Sequence, residues 1–245
     1  MKELTILSVK INNIPKHELL RSILNSIRNH NKFRLYTINN EFIVEAQSNE
    51  PYRKILNKST CSIADSGGVV WAVKKIAGEK IERIPGADFF YDLLELAEQN
   101  ELGIFLLGGE RGVGKDSVKK ILSLYPNIKS IEYCDGVDIS PNDQNIDLVN
   151  RINRSGANMI FVALGSPKQE VWIDKNQDKL TPSFLMGVGG TLDFVSGKIK
   201  RAPVFMREHN LEWLFRLIQQ PSRAKRILKA VITFPLLVIF NKKST

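Results

Sequence analysis

Short apolar segments that alternate with amphipathic helical segments constrain the fold of this sequence more than any other feature. The strands of a sheet that is buried on both faces have this composition, and intervening helices predict parallel crossover connections. The predicted strands are Thr5–Ile11, Phe33–Ile38, Cys61–Ala64, Gly103–Leu107, Lys129–Tyr133, Asn158–Leu164 and Phe184–Gly187. We therefore predict an α/β fold with a mostly parallel, Rossmann-like sheet and helices on both faces.

The charge distribution divides the chain. The formal net charge is +9, and residues 198–245 hold 11 of the 35 Lys and Arg but 2 of the 26 Asp and Glu. This predicts a neutral α/β domain over 1–197 and a helical basic appendage over 198–245. The appendage also has an apolar helical face, formed by Leu211, Leu214, Leu217 and Ile218. Cationic and apolar residues on one helical segment predict attachment to an acidic membrane surface.

Other interpretations of the appendage remain open. One is a helix that packs on the body with a solvated basic face, and another, less favoured, is a nucleic-acid surface. No known nucleic-acid motif occurs, so we expect no nucleic-acid partner. The N-terminus does not resemble a signal peptide, and the longest apolar run, Ala230–Phe240, is shorter than a spanning helix. We expect a cytoplasmic protein that lies on a membrane and self-associates when the membrane is absent.

Polar residues at the ends of two predicted strands are candidates for chemistry, because ligands of open α/β sheets bind beyond the carboxyl ends of strands. Asp65 follows a buried strand and precedes two glycines that leave room for a substrate. This position suits a general base, although a helix cap is the alternative. Thr37 and Asn39 can present polar groups to a ligand, and Asn39 can instead cap the next helix.

Three further loops predict a binding site for a phosphorylated ligand. Ser166 and Pro167 are expected to be the N-cap and first residue of a helix whose free amides attract anions, with Gln169 in its first turn. The glycine-rich segment 187–190 allows close backbone approach, and Asp193 can accept from a sugar hydroxyl. Arg83 and Asp88 flank a turn before another helix, where Asp88 is alternatively a simple cap.

The segment from Gly109 to Lys115 resembles a phosphate-binding loop. Asp116 stands where Ser or Thr normally holds magnesium, which argues against an ATPase. A glycine-rich turn that serves a nucleotide sugar, or tight packing of strand on helix, is favoured instead. Two cysteines and three scattered histidines predict neither a disulfide framework nor a metal site.

Taken in order, these motifs resemble the WecG/TagA/CpsF family, glycosyltransferase family 26, from about Thr5 to Arg226. They are Thr37-x-Asn39-x-Glu41, Asp65-x-Gly67, Arg83-x-x-Gly86-x-Asp88, Gly108-Gly109, Gly165-x-Pro167-x-Gln169-Glu170, Gly187-x-Gly189-Gly190-x-x-Asp193 and Arg201-Ala-Pro203 followed by Leu211-Glu-Trp213-Leu214-x-Arg216. One departure is Asn40, where many members are expected to have proline.

The resemblance implies an inverting glycosyltransferase that needs no metal or other cofactor. Its best-known members transfer N-acetylmannosamine from UDP to undecaprenyl-diphosphate-linked N-acetylglucosamine through a β-1,4 bond, for wall teichoic acid or related polysaccharides. It also implies a location at the inner face of the bacterial cell membrane, where a C-terminal appendage completes the site with arginines.

The roles implied for individual residues follow from this chemistry. Asp65 is the expected general base, and Thr37 is expected to position the reacting groups. The UDP leaving group is expected to meet the helix start at Ser166 and the appendage residues Arg216, Arg223 and Arg226. The expected substrate-binding residues are Asn39, Arg83, Asp88, Gly108, Gly109, Ser166, Gln169 and Asp193.

Three rival functions remain open at this point. The same scaffold could use another UDP-sugar, such as glucose, galactose or N-acetylmannosaminuronate, in capsule or exopolysaccharide synthesis. The chain could instead be a nucleotide-binding regulator that uses the phosphate-loop-like segment, or a non-catalytic membrane adaptor of another transferase.

Overall fold

A computed structural model describes residues 1–136, 139–140, 145–209, 211–219 and 224–241, without the side chains of Arg216 and Lys225. The strands are β1 Lys2–Ile6, β2 Val9–Asn13, β3 Phe33–Ile38, β4 Cys61–Ala64, β5 Gly103–Gly108, β6 Ser130–Cys134, β7 Met159–Ala163 and β8 Phe184–Gly187. The helices are α1 Lys16–Arg28, α2 Asn40–Ser48, α3 Glu50–Asn57, α4 Gly67–Ala77, α5 Gly86–Gln99, α6 Val113–Leu124, α7 Ile146–Arg154, α8 Lys168–Asn176, α9 Thr191–Val195, α10 Val204–Glu208, α11 Glu212–Gln219 and α12 Ala224–Ile239.

Strands β3 to β8 form a parallel sheet in the order β4-β3-β8-β7-β5-β6. Ile104 of β5, for example, lies opposite Ile131 of β6 and Met159 of β7. The predicted α/β fold with a parallel sheet is confirmed. The next strand in sequence after β3, which is β4, lies on one side of it, and β8 lies on the other; β6 and β7 flank β5 in the same way. Such a reversal of strand order opens a crevice beyond the carboxyl ends of the strands.

Helices cover both faces of the sheet because each central strand is buried on both sides. In β7, Ile160 and Val162 face one hydrophobic cluster, while Met159, Phe161 and Ala163 face the other. The first cluster takes buried side chains from α2, α3, α4, α7, α8 and α12. The second takes them from α1, α5, α6 and α9. The predicted layering of helices on both faces is therefore also confirmed.

The N-terminal segment differs from its prediction. The single strand expected over Thr5–Ile11 is wrong, because β1 and β2 form an antiparallel hairpin that turns at Leu7 and Ser8. These residues have positive φ angles of 48° and 64°. Hairpin turns of this kind usually contain Asn or Gly. This turn contains neither, so nothing in the sequence indicated that the strand ends there.

The segment after Gly197 packs on the sheet domain through α12. Phe234 and Val238 are buried in the first hydrophobic cluster, and α12 contacts α2 and α4. The opposite face of α12 exposes Leu228, Ile232, Leu236 and Ile239. None of the helices in the part of the chain that the structure describes has both the length and the apolar content that crossing a membrane requires.

Candidate active site

A cavity of about 420 Å³ lies beyond the carboxyl ends of β3, β4, β7 and β8, and the start of α5 with the segment before it, α10, α11 and α12 contribute the rest of its wall. Parallel strands bring residues that are distant in sequence to the same edge of a sheet. Seven of the residues selected from the sequence line the cavity: Thr37, Asn39, Asp65, Arg83, Ser166, Gln169 and Arg226.

Asp65 lies in the cavity wall, immediately after β4. Its Oδ1 accepts a hydrogen bond of 2.6 Å from the backbone amide of Gly86. Its own amide donates to the carbonyl of Ile38 at 2.9 Å, which joins the ends of β3 and β4. A Cβ on Gly86 would lie 3.0 Å from Thr37 Oγ1, so this glycine allows Thr37 to approach. The carboxylate is thus held by backbone at a position where it can accept a proton from a ligand.

Asn39 caps α2, as its alternative interpretation predicted. Its Oδ1 accepts from the amides of Glu41 and Phe42 at 3.0 and 3.2 Å, and the residue also lines the cavity. The next residue, Asn40, accepts from Ser66 Oγ at 2.8 Å. At this position, where proline was expected, the asparagine links the loop after β3 to the loop after β4.

The start of α8 differs by one residue from its prediction. Ser166 was expected as the N-cap, but Pro167 occupies that position and the Ser166–Pro167 peptide is cis. The Ser166 hydroxyl instead lies 2.7 Å from the Tyr52 hydroxyl of α3. Ser166 still lines the cavity, so the polar group remains available at this edge.

Gln169 joins the start of α8 to the glycine loop after β8. Its Oε1 accepts from the amide of Gly189 at 2.9 Å, and its Nε2 donates to Glu170 at 2.6 Å. A Cβ on Gly187 would lie 2.5 Å from Gln169 Nε2, so any side chain at this position would displace the Gln169 amide. The loop and the helix start therefore form one rigid edge of the cavity.

Asp88 lies outside the cavity lining and anchors two arginines from beyond Gly197. Arg201 Nη1 lies 2.7 Å and Arg207 Nη1 3.3 Å from its Oδ1. Arg83 adds a second tie, since its Nη2 donates to the carbonyl of Arg207 at 3.2 Å. Arg207 lines the cavity and was missed from the sequence, because a lone arginine on a five-residue helix carries no periodic signal.

Gly108 and Gly109 do not line the cavity and instead pack strand against strand. A Cβ on Gly108 would lie 2.5 Å from the carbonyl oxygen of Ala163, and the amide of Gly109 donates to that oxygen at 3.0 Å. The Asp135 carboxylate accepts from the amides of Gly112 and Gly114 at 3.0 and 3.3 Å. The phosphate-loop-like turn thus already holds an anion of its own chain.

The remaining candidates fall into three groups. Asp193 lies in α9 behind Gly190, and it does not line the cavity. Arg226 lines the cavity and its Nε donates to Glu41. Arg223 and the side chain of Arg216 lie outside the described residues. Within the described ranges, no group of three or more His, Cys, Asp or Glu side chains is placed to hold a metal ion.

Glu170 is a fully buried acid beside the cavity, and its relative exposure is 1%. Burial raises the pKa of its carboxyl to about 7 from an ordinary 4.5, against the opposing effect of hydrogen bonds from Gln169, Ser166 and Tyr52. The residue was part of a sequence motif, but it was not selected as a functional group because nothing in the pattern shows that it is buried.

The raised pKa of Glu170 predicts a pH-dependent stability. The folded state holds a proton that the unfolded state releases, so stability is fully present below about pH 4.5 and declines as the pH rises towards 7. Glu170→Gln removes this titration. We expect the melting temperature of Glu170→Gln, relative to that of the wild type, to increase as the pH rises from 5 to 7.5, and calorimetry across this range measures the difference. A constant difference across the range would contradict the assignment.

Comparison with known proteins gives concordant matches. A family model described as "Glycosyl transferase WecG/TagA/CpsF family" matches residues 4–245. A relative from Bacillus subtilis (strain 168) is 36% identical over 85% of this chain and 79% of its own. Relatives from Staphylococcus aureus (strain MRSA252), at 31% over 94% and 89%, and Bacillus spizizenii, at 34% over 79% and 74%, are similar. All three are named N-acetylglucosaminyldiphosphoundecaprenol N-acetyl-beta-D-mannosaminyltransferase.

Proposed function

The chain belongs to the WecG/TagA/CpsF family of glycosyl transferases, and we propose that it transfers N-acetylmannosamine from UDP to polyprenyl-diphosphate-linked N-acetylglucosamine. The observation that carries this proposal is the Asp65 carboxylate, held by the Gly86 amide at 2.6 Å in a cavity with a glycine loop and arginines. The names of the relatives supply the donor sugar and the acceptor. The pathway is wall teichoic acid or a related surface polysaccharide.

The proposed reaction is a single displacement with inversion. Asp65 takes the proton of the acceptor hydroxyl while its oxygen attacks the anomeric carbon of the donor. The bond from that carbon to the diphosphate oxygen breaks, and its electron pair leaves with UDP. Thr37, packed on Gly86 next to Asp65, positions the reacting groups. The product is the β-1,4-linked disaccharide.

The leaving diphosphate gains charge as the bond breaks, and cations must stabilise it. Arg83, Arg207 and Arg226 line the same cavity as Ser166 and the loop after β8. Arginine suits this role because its planar fork donates two parallel hydrogen bonds to phosphate oxygens. Arg216 and Arg223 remain proposals of the same kind. The reaction is proposed to proceed without a metal ion.

The test is UDP release in the presence of a short-chain lipid-diphosphate N-acetylglucosamine, with EDTA and a panel of UDP-sugars. The proposal expects turnover with UDP-N-acetylmannosamine that survives EDTA. Turnover with another UDP-sugar alone would favour a second candidate, a transferase for capsule or exopolysaccharide. The observation that favours this second candidate is Asn40, which lines the cavity where proline was expected. No turnover with any donor would contradict both.

A membrane-bound acceptor requires the cavity to face a membrane, and we propose that α12 provides this contact. Its exposed residues Leu228, Ile232, Leu236 and Ile239 form one stripe, and Lys229 lies beside it. Such a stripe with basic neighbours binds the surface of an acidic bilayer. The proposed arrangement is a body over 1–197 and a membrane-associating appendage over 198–245, at the cytoplasmic face of the cell membrane. Self-association away from the membrane is proposed for the same surface.

Asp88→Asn tests whether Asp88 anchors the appendage side of the cavity. The variant loses the charge that holds Arg201 and Arg207, and Arg207 then leaves its position beside the leaving group. We expect kcat/KM to fall roughly ten- to a hundredfold, because one charge-assisted contact contributes about 1.5–3 kcal/mol. Steady-state kinetics measure it, and Asp92→Asn, which breaks a partly exposed pair with Lys16, is the control. Equal kinetics for both variants would contradict the anchoring role.

A further inference from the structure

Four polar side chains form a hydrogen-bonded network at the floor of the cavity, and Glu170 lies at its centre. Gln169 Nε2 donates to Glu170 Oε1 at 2.6 Å, and the Tyr52 hydroxyl lies 3.5 Å from Glu170 Oε2 and 2.7 Å from Ser166 Oγ. Glu170 and Gln169 are buried, with exposed fractions of 1% and 3%. The network therefore joins α3, the start of α8 and the loop after β8, and three of its four side chains, those of Tyr52, Gln169 and Glu170, are buried.

Ser166 and Gln169, two members of this network, line the cavity, and Glu170 does not. The Gln169 amide is fixed at both ends, by the Gly189 amide at its oxygen and by Glu170 at its nitrogen. The Ser166 hydroxyl is fixed by Tyr52 and by Glu170. We propose that Glu170 is a positioning residue of the transfer reaction, which orients Gln169 and Ser166 towards the sugar nucleotide without touching it.

Two opposing effects set the charge of Glu170. Gln169 and the Tyr52 hydroxyl donate to its two carboxyl oxygens, which favours the ionised acid, whereas burial favours the neutral acid. Burial raises the pKa of Glu170 to about 7, so both forms occur near neutral pH. Two ionisable groups on the elements that pack against Glu170 are Tyr52 and Tyr36, and both stay neutral because burial raises the pKa of their hydroxyls. Further away lie Glu45 and the Arg34–Asp174 ion pair.

Ionisation of Glu170 adds a negative charge beneath the position proposed for the diphosphate. This consequence rests on the proposed function, because a diphosphate ligand is what the charge would repel. The affinity of the wild type for UDP should therefore fall as the pH rises above about 7, whereas the affinity of Glu170→Gln should not change with pH in this way. A role confined to structure would change stability without giving this pH profile.

The experiment measures UDP affinity by calorimetry between pH 6 and 8.5. We expect the wild-type Kd to rise about tenfold across this range, and that of Glu170→Gln to stay within about threefold of the wild-type value at pH 6. Tyr52→Phe, which deletes one hydroxyl, and Glu170→Leu should weaken binding at every pH. Asp174→Asn is the matched control, because it removes a carboxylate from the same helix and should keep the wild-type profile.

The inference is overturned if Glu170→Gln and the wild type share one pH profile, or if folded Glu170→Leu and Tyr52→Phe bind UDP as the wild type does. A second readout separates it from the proposed function. The ¹⁵N side-chain amide resonance of Gln169 should shift with a midpoint near pH 7 in the wild type and not in Glu170→Gln. If no UDP binds but this shift occurs, the proposed function fails and the coupling of Glu170 to Gln169 stands. Absence of the shift overturns the inference.

Discussion

Asp65→Asn is expected to lower kcat by about 10²- to 10⁴-fold, the range that general-base catalysis contributes. Asparagine keeps the shape of the side chain and can still accept the Gly86 amide hydrogen bond, which the wild type forms at 2.6 Å. It cannot take the proton of the attacking hydroxyl. UDP affinity should change little, because the proposed contacts to UDP come from the loops after β7 and β8 and from arginines. Turnover and UDP calorimetry on the same preparation measure the two effects.

Asp92→Asn is the matched control for Asp65→Asn. Asp92 is a partly exposed aspartate on α5, which begins beside the Asp65 side chain, and it pairs with Lys16 outside the cavity. Its variant should retain wild-type kcat. A kcat of Asp65→Asn within threefold of the control would remove Asp65 as the base.

The double variant Ile232→Glu and Leu236→Glu is expected to detach the protein from vesicles of acidic lipid. Both side chains belong to the exposed stripe of α12, with exposed fractions of 61% and 49%. Loss of two inserted apolar side chains removes about 3 kcal/mol or more, which is roughly a hundredfold in partition. Turnover on an acceptor embedded in vesicles should fall in proportion, while turnover on a short-chain acceptor in solution should persist. Sedimentation and UDP release measure these effects.

Leu122→Glu with Leu124→Glu supplies the control for the stripe. These residues are exposed on α6, which packs against β5, β6 and α9, whereas α12 packs against α2 and α4. The control should sediment with vesicles as the wild type does. Equal sedimentation of both double variants would show that the α12 stripe does not bind the membrane.

The sheet was predictable because its strands are buried on both faces and stand out as apolar segments. The bounds predicted for Phe33–Ile38, Cys61–Ala64 and Phe184–Gly187 are those of β3, β4 and β8. The positions of Thr37, Asp65 and Gln169 in one cavity followed from topology, since parallel strands end at one edge. The hairpin turn at Leu7 and Ser8 was missed because neither residue signals a turn.

The parts of the site that could not be predicted depend on contacts between distant segments. The sequence of the turn over 109–115 fits a phosphate loop, and only the fold places Asp135 on the amides of Gly112 and Gly114. Arg207 enters the cavity because Asp88 binds its side chain and Arg83 binds its carbonyl, and both residues precede it by more than a hundred positions. The burial of Glu170 depends likewise on Tyr52, which precedes it by more than a hundred residues.

A crystal structure of the protein with UDP tests the central claim, that the cavity beyond β3, β4, β7 and β8 is the donor site. The account predicts the diphosphate within hydrogen-bond distance of Ser166 or the loop amides after β8, and within reach of Arg83, Arg207 or Arg226. UDP bound instead at the turn of Gly112 and Gly114, with Asp135 displaced, would contradict the account and favour the nucleotide-binding regulator.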